Sequence, residues 1–274
     1  MAGTLRDAVY GAAVGDALGV PYEFRRRDEF ACTGMAGGGA HDQPAGTWSD
    51  DTSLLLATCD SLRECGGKVR VDDLRRRFCD WMRDGRYTPD GFCFDIGNAT
   101  ARALTEGKGC VDVRSNGNGS LMRIAPLAFA DASDRDVAEA SAVTHAHRVS
   151  VDACVSFVHI ARDLAAGVPA REAVECNAPE GEEFSRVGRV GELPRCEVES
   201  SGYVVHTLEA SLWCLLNTDD YAACVLAAVN LGDDSDTTAC VAGALAGMVY
   251  GAESIPQEWL ATLRRKDLIE ACLF

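Results

Sequence analysis

Two short segments of the chain concentrate oxygen-bearing side chains. Ser49-Asp50-Asp51-Thr52 stands immediately before an apolar run that includes Leu54 to Ala57. Far along the chain, Asp233-Asp234-Ser235-Asp236-Thr237-Thr238 stands immediately before the small-residue run Ala239–Tyr250. Both read as acids and hydroxyls gathered at the start of a helix. Part of this is ordinary, because Ser, Thr and Asp side chains accept bonds from free backbone N–H groups and one acid there complements the helix dipole. Capping calls for one acid, and these segments hold more. Two carboxylates ~5 Å apart repel by about 3 kcal/mol at an effective dielectric of ~20. If the two segments met in space, bound cations or protons would have to relieve that repulsion. Carboxylates and hydroxyls without His or Cys are hard donors, which favour magnesium or manganese over zinc.

Helices must position these groups, since helical periodicity dominates the sequence. Leu5–Leu18 carries Gly11, Gly15 and Gly19 four apart. Glycine costs ~1 kcal/mol inside a helix, so three on one face predict that another backbone packs closely there. Thr52–Cys65 ends at Gly66-Gly67, a stop signal, and Asp72–Arg83 places Leu74, Phe78, Trp81 and Met82 at helical spacing. Val137–Ala142, Ser150–Ala166, Val204–Leu216, Tyr221–Asn230 and Thr237–Tyr250 follow the same pattern, and Pro169 and Pro256 stand where helices can begin. Strand alternation is absent. Arg25–Thr47, Arg114–Ser120 and Asn177–Gly202 interrupt the pattern as polar loops, where function concentrates. The expected fold is all-α, a compact multi-helix single domain over residues 1–274.

Composition removes several classes of function. The chain has 274 residues, 47% of them hydrophobic, and a formal net charge of −16, so it gains nothing from counterion release on a phosphate backbone. Free nucleic acid is therefore not an expected partner. No apolar run reaches the ~18–20 residues that span a bilayer, and the best stretch is broken by Arg162 and Asp163. An odd number of cysteines, 13, without any CxxC pair, and a charged N-terminus predict a reduced cytoplasmic protein. A monomer is expected.

The motifs, taken together, resemble the ADP-ribosylglycohydrolase family of the dinitrogenase-reductase-activating glycohydrolase type. They run in order from Gly11-Ala-Ala-Val-Gly-Asp-Ala-Leu-Gly-Val-Pro-Tyr-Glu23 and Gly46-Thr-Trp-Ser-Asp-Asp-Thr-Ser53 to Phe94-Asp-Ile-Gly-Asn98 and Gly117-Asn-Gly-Ser-Leu-Met-Arg123. Thr144-His-Ala-His147 and Gly232-Asp-Asp-Ser-Asp-Thr237 complete the series. The resemblance implies an all-α fold with two divalent cations, Mg2+ or Mn2+, at the floor of a cleft. It implies Ser49, Asp50, Asp51, Asp234, Asp236 and Thr237 as their ligands. Position 49 is commonly threonine in the family, and serine keeps the hydroxyl.

Two cations ~3.5–4 Å apart can grip vicinal oxygens such as the 2′- and 3′-hydroxyls of a ribose, and carboxylates near the anomeric carbon can stabilise an oxocarbenium-like transition state or move protons. Glu23 is the first candidate carboxylate by resemblance; composition alone would pair it at the surface with Arg25-Arg26-Arg27. Asp95 is the second, either as the N-cap of a helix over Ile96–Leu104 or as a bidentate partner for a substrate guanidinium. Gly117, Asn118, Gly119 and Ser120 form a turn with open N–H groups, which by resemblance cradles the distal ribose and diphosphate. His145 would add a hydrogen bond to the diphosphate, and Tyr203 either stacks on adenine or belongs to the core. The implied reaction is release of ADP-ribose from a modified arginine of a protein or a small conjugate. The alternatives are hydrolysis of O-linked ADP-ribose, as in ADP-ribosyl-serine or O-acetyl-ADP-ribose, and a non-catalytic ADP-ribose binder.

Overall fold

The glycines of the first helix explain the centre of the molecule. In the computed structural model, which describes residues 3–274, α1 spans Leu5–Gly19 and lies directly along the last long helix, Ser235–Tyr250. A Cβ on Gly11 would come 2.1 Å from the Gly243 carbonyl oxygen, and one on Gly19 would come 2.3 Å from the Asp236 Cα. Both distances are far inside van der Waals contact, so only hydrogen fits. Backbone thus meets backbone, as the four-residue spacing predicts. The two helices share no bulky side-chain layer, and the start of one acidic segment is brought against the end of α1.

The other elements wrap this pair. In chain order the helices after α1 are α2 (Asp50–Glu64), α3 (Val71–Asp84), α4 (Asn98–Glu106), α5 (Asp134–Ala142), α6 (Arg148–Ala165), α7 (Ala170–Cys176), α8 (Val204–Leu216), α9 (Tyr221–Val229), α10 (Ser235–Tyr250, the partner of α1), α11 (Gln257–Thr262) and α12 (Lys266–Cys272). Their apolar faces form one continuous core that includes Leu54, Phe78, Trp81, Phe157, Leu212 and Val225. Among the described residues, extended pairing is limited to the isolated bridges Gly38–Gln43, Cys110–His145 and Gly117–Tyr203. Among the described residues, no helix is long and apolar enough to cross a membrane.

Boundaries differ from expectation where they matter most. α2 and α10 begin at Asp50 and Ser235, so Asp50, Asp51 and Asp236 occupy first helical turns instead of preceding loops. Their carboxylates complement the N-terminal ends of the helix dipoles. Pro169 and Pro256 occupy N-cap positions of α7 and α11. His147, for which the sequence offers no role, caps α6 by accepting a bond from the Val149 N–H through Nδ1 at 3.3 Å.

Candidate active site

The floor of the site is built where α1, α2 and α10 meet. Asp16 of α1 is fully buried. Its carboxylate accepts bonds from the Ser49 N–H at 2.9 Å, the Thr52 N–H at 3.0 Å and the Thr52 hydroxyl at 2.6 Å. It therefore caps α2 from a neighbouring helix, and α1 thereby sets the position of the first acidic segment. The Ser49 hydroxyl donates to Asp51 Oδ2 at 2.8 Å, and the Thr237 hydroxyl donates to the same oxygen at 3.3 Å. The two segments, separated by most of the chain, are thus in direct contact.

Carboxylate oxygens of Asp16, Asp51 and Asp236 lie within 4.8 Å of one another, and those of Glu23, Asp234 and Asp236 form a second set at the same spacing. Asp236 belongs to both. Asp50 is buried beside them, whereas Asp233 is exposed, with φ of 56°, and is absent from either set. Burial, followed by the charges of neighbouring carboxylates, pushes Asp50, Asp51 and Asp236 far above the usual range. Burial also raises Asp16 to about 6, against the opposing pull of its bonds from Thr52 and Ser49. Asp234 rises through burial, restrained by its bond from Asn118 Nδ2 at 2.9 Å. Among the described residues, Asp51 Oδ1 and Asp236 Oδ2 are buried without any hydrogen-bond partner. Buried polar atoms are ordinarily paired, and these two acceptors belong to residues of the carboxylate clusters. Such a donor set fits hard divalent cations.

Above the floor, Glu23 is held by its neighbours' backbone. Phe24 N–H donates to the Asp233 carbonyl at 2.8 Å, and Asp233 N–H donates to the Arg25 carbonyl at 2.8 Å. Phe24 and Asp233 both adopt positive φ, 65° and 56°, conformations that persist only when surroundings enforce them. Gly232 permits the approach, since a Cβ there would lie 2.6 Å from the Arg27 nitrogen. Glu23 itself is 5% exposed, which removes the surface pairing with Arg25-Arg26-Arg27. Arg27 instead donates to the carbonyls of Leu231 and Arg195, at 3.0 and 2.7 Å, and to that of Val198. Glu23 Oε2 lies 2.5 Å from His41 Nε2, and that nitrogen is 3.9 Å from Asp95 Oδ1. Burial, then the charges of Asp95, Asp234 and Asp16, pushes Glu23 up to about 9. Asp95 is also raised by burial, with His41 opposing. The capping alternative for Asp95 is overturned: α4 starts at Asn98 with Gly97 as its N-cap, and Asp95 stands two residues earlier with φ of 55°.

A cleft of about 420 Å³ opens over these groups, and its lining includes Glu23, Asp50, Asp95, Asp234 and Thr237 together with Gly117, Asn118, Gly119 and His145. Arg114 also lines it, exposed and without an acidic partner among the described residues. Two expected residues lie elsewhere. The Ser120 hydroxyl is buried behind the loop, accepting from the Ser141 hydroxyl at 2.9 Å and lying 3.4 Å from Cys154 Sγ. The Tyr203 ring meets His206 edge-on at 5.0 Å and does not line the cleft. Sequence reasoning missed Asp16, His41 and Arg114. A signal for Asp16 was present, as the one charged residue between Ala8 and Leu18.

Comparison with known proteins agrees with this geometry. A family model described as ADP-ribosylglycohydrolase matches residues 3–273. An ADP-ribosylarginine hydrolase Tri1 of Serratia proteamaculans is 33% identical, over 96% of this chain and 76% of its own length. Its namesake in Pseudomonas putida is 36% identical, over 93% of this chain and 72% of its own length. A solved structure described as an ADP-ribosylglycohydrolase-related protein complex superposes with a TM-score of 0.81 at 34% identity, covering 97% of this chain and 94% of that one. The acidic floor, the cleft above it and these matches across nearly the whole chain lead to one assignment: the protein belongs to the ADP-ribosylglycohydrolase family.

Proposed function

We propose that this enzyme removes ADP-ribose from the guanidino group of modified arginine and that its acidic floor holds two divalent cations, Mg2+ or Mn2+. The observation that carries the reading is the convergence of Asp16, Asp51, Asp234, Asp236 and Glu23 beneath one cleft, with buried carboxylate oxygens left unpartnered. Relatives at 33% and 36% identity that are named for arginine-linked substrates support the choice of linkage.

Asp50, Asp51, Asp234 and Asp236, with the Ser49 and Thr237 hydroxyls, would hold the cations, and Asp16 would orient the α2 ligands from behind. Bound there, the cations supply a clamp for vicinal ribose hydroxyls. At the anomeric centre the leaving group is a substituted guanidinium, which departs as neutral guanidine and so needs no acid. The requirement is a base for the attacking water. With cations bound, their positive charge would keep Glu23 ionised; Glu23 then serves as that base, and the proton passes into the Glu23–His41 pair before the strongly basic guanidine recovers it. The Asp95 carboxylate accepts two N–H bonds from the guanidinium and orients it. Gly117, Asn118 and Gly119 support the distal ribose and diphosphate, with Arg114 supplying positive charge at the mouth.

The test measures free ADP-ribose released from ADP-ribosylated arginine in Mg2+ or Mn2+ and then in EDTA. Cation-dependent release is expected. Turnover unaffected by EDTA would remove the cations, and release only from serine-linked substrate would move the assignment to O-linked ADP-ribose.

A further inference from the structure

Arg123 is fully buried, yet no carboxylate pairs with it among the described residues. Its guanidinium lies 4.4 Å over the Phe78 ring, NH1 and NH2 both donate to the Ala140 carbonyl at 3.2 Å, and NH2 also donates to the Thr144 hydroxyl at 2.9 Å. Burying a charge without a counter-ion is expensive, and neither the fold nor the reaction outlined above uses it.

The chain of bonds continues towards the cleft. Thr144 Oγ1 lies 2.8 Å from His145 Nδ1. An arginine cannot accept a hydrogen bond, so the Thr144 oxygen is the acceptor on that side. The hydroxyl proton has one other partner within reach, His145 Nδ1, and occupying it makes Nδ1 an acceptor. A neutral imidazole with Nδ1 accepting carries its proton on Nε2. Burial, then Arg123, lowers His145 to about 3, so the ring is neutral across the physiological range. The ring is also clamped: a Cβ on Gly119 would lie 2.9 Å from His145 Cε1, and one on Gly117 would lie 3.5 Å from Nε2. Nε2 has no protein partner among the described residues, and His145 lines the cleft.

We propose that Arg123 and Thr144 are positioning residues that lock His145 as an Nε2–H donor aimed at an anionic group of the ligand. Beside Gly117 and Gly119, that group is the diphosphate. The identification of the ligand rests on the function proposed above; the locked tautomer does not. A histidine free to choose its tautomer would present a lone pair to the anion for part of the time, and here the buried cation removes that state.

Nitrogen NMR of histidine-labelled protein reads the tautomer directly. The wild type is expected to show His145 protonated at Nε2 without ligand. Thr144→Val removes the hydroxyl at nearly constant volume and is expected to release the tautomer. It should also weaken ADP-ribose binding about ten- to hundredfold, the range for a hydrogen bond to a charged group, while leaving adenosine binding unchanged. Thr144→Ser should restore both signals. Arg123→Lys keeps the charge but not the geometry and should resemble Thr144→Val; if it fails to fold, the threonine pair still decides. An Nδ1–H tautomer in the wild type would overturn the proposal. So would equal loss of ADP-ribose and adenosine binding in Thr144→Val, or no loss of either. A wild type that shows the Nε2–H tautomer but binds no ADP-ribose would refute the functional reading and leave the lock intact.

Discussion

Asp236→Asn should make the cation-free protein more stable while it disables the enzyme. Carboxylate oxygens of Asp16, Asp51 and Asp236 lie within 4.8 Å of one another. At an effective dielectric of ~20, an ionised pair at that separation repels by about 3.5 kcal/mol, and two of the three pairs include Asp236. Asparagine keeps the oxygen that accepts from the Thr237 N–H, at 2.9 Å in the wild type. It also replaces the partnerless Oδ2 by an N–H donor facing the two remaining acids. Protonation already relieves much of the repulsion, so about 1–2 kcal/mol should be recovered near pH 8, a rise in Tm of about 2–8 °C for a domain of this size. The assay is thermal melting of both proteins in EDTA and again in Mg2+ or Mn2+. The wild type should gain stability with cation and the variant should gain little, with turnover reduced at least about a hundredfold. A variant less stable than wild type in EDTA, or one that gains as much from cation, would refute the reasoning.

Three further outcomes follow from the same geometry. Glu23→Gln should retain ADP-ribose binding within a few-fold while turnover falls about a hundredfold or more, since the amide cannot take a proton; calorimetry beside the release assay checks this, and equal losses would make Glu23 structural. The cation-free protein should lose stability as pH rises from 7 to 9. Glu23, raised to about 9 in the fold, binds its proton there more tightly than in the unfolded chain, so its contribution is complete at low pH and disappears as pH passes that value. His145, lowered to about 3, is already neutral in the fold throughout that window. The cation-induced rise in Tm should therefore grow from pH 7 to 9, and a flat series would count against the desolvated acids. Gly19→Ala should destabilise by about 1–3 kcal/mol and abolish the cation-induced shift, because its Cβ would meet the Asp236 backbone at 2.3 Å. Gly11→Ala, which meets Gly243 instead, should destabilise comparably but keep the shift, as paired melting curves would show.

Much of the floor was legible because its determinants are local. Acids beyond the needs of capping mark both helix starts, and glycines four apart announce a close backbone neighbour. What escaped depends on contacts between distant segments. Asp16 reads as a lone acid on an apolar helix until Ser49 and Thr52 are seen donating to it. His41 lies in a glycine-rich loop with no local pattern to single it out, and only folding sets it 2.5 Å from Glu23. Asp95 shows the opposite failure. An acid shortly before a helix resembles a cap in sequence, but its positive φ and the later start of α4 leave it outside the capping position. Ser120 and Tyr203 share short motifs with residues that line the cleft, yet their side chains turn elsewhere, because a turn reverses direction between neighbours.

The direct seating of α1 on α10 bears on how such an enzyme can diversify. A helix pair held apart by interlocking side chains shifts a little with each replacement. Here the spacing of α1 and α10, and with it that of Asp16 and Asp236, is fixed by main-chain atoms on both sides, so ordinary drift in surrounding apolar residues leaves it unchanged. Phe24 with its exposed ring and the stretch around Asp95, which line the cleft, hang from loops outside that rigid pair. New substrates can therefore be explored at the rim without recalibrating the chemistry beneath.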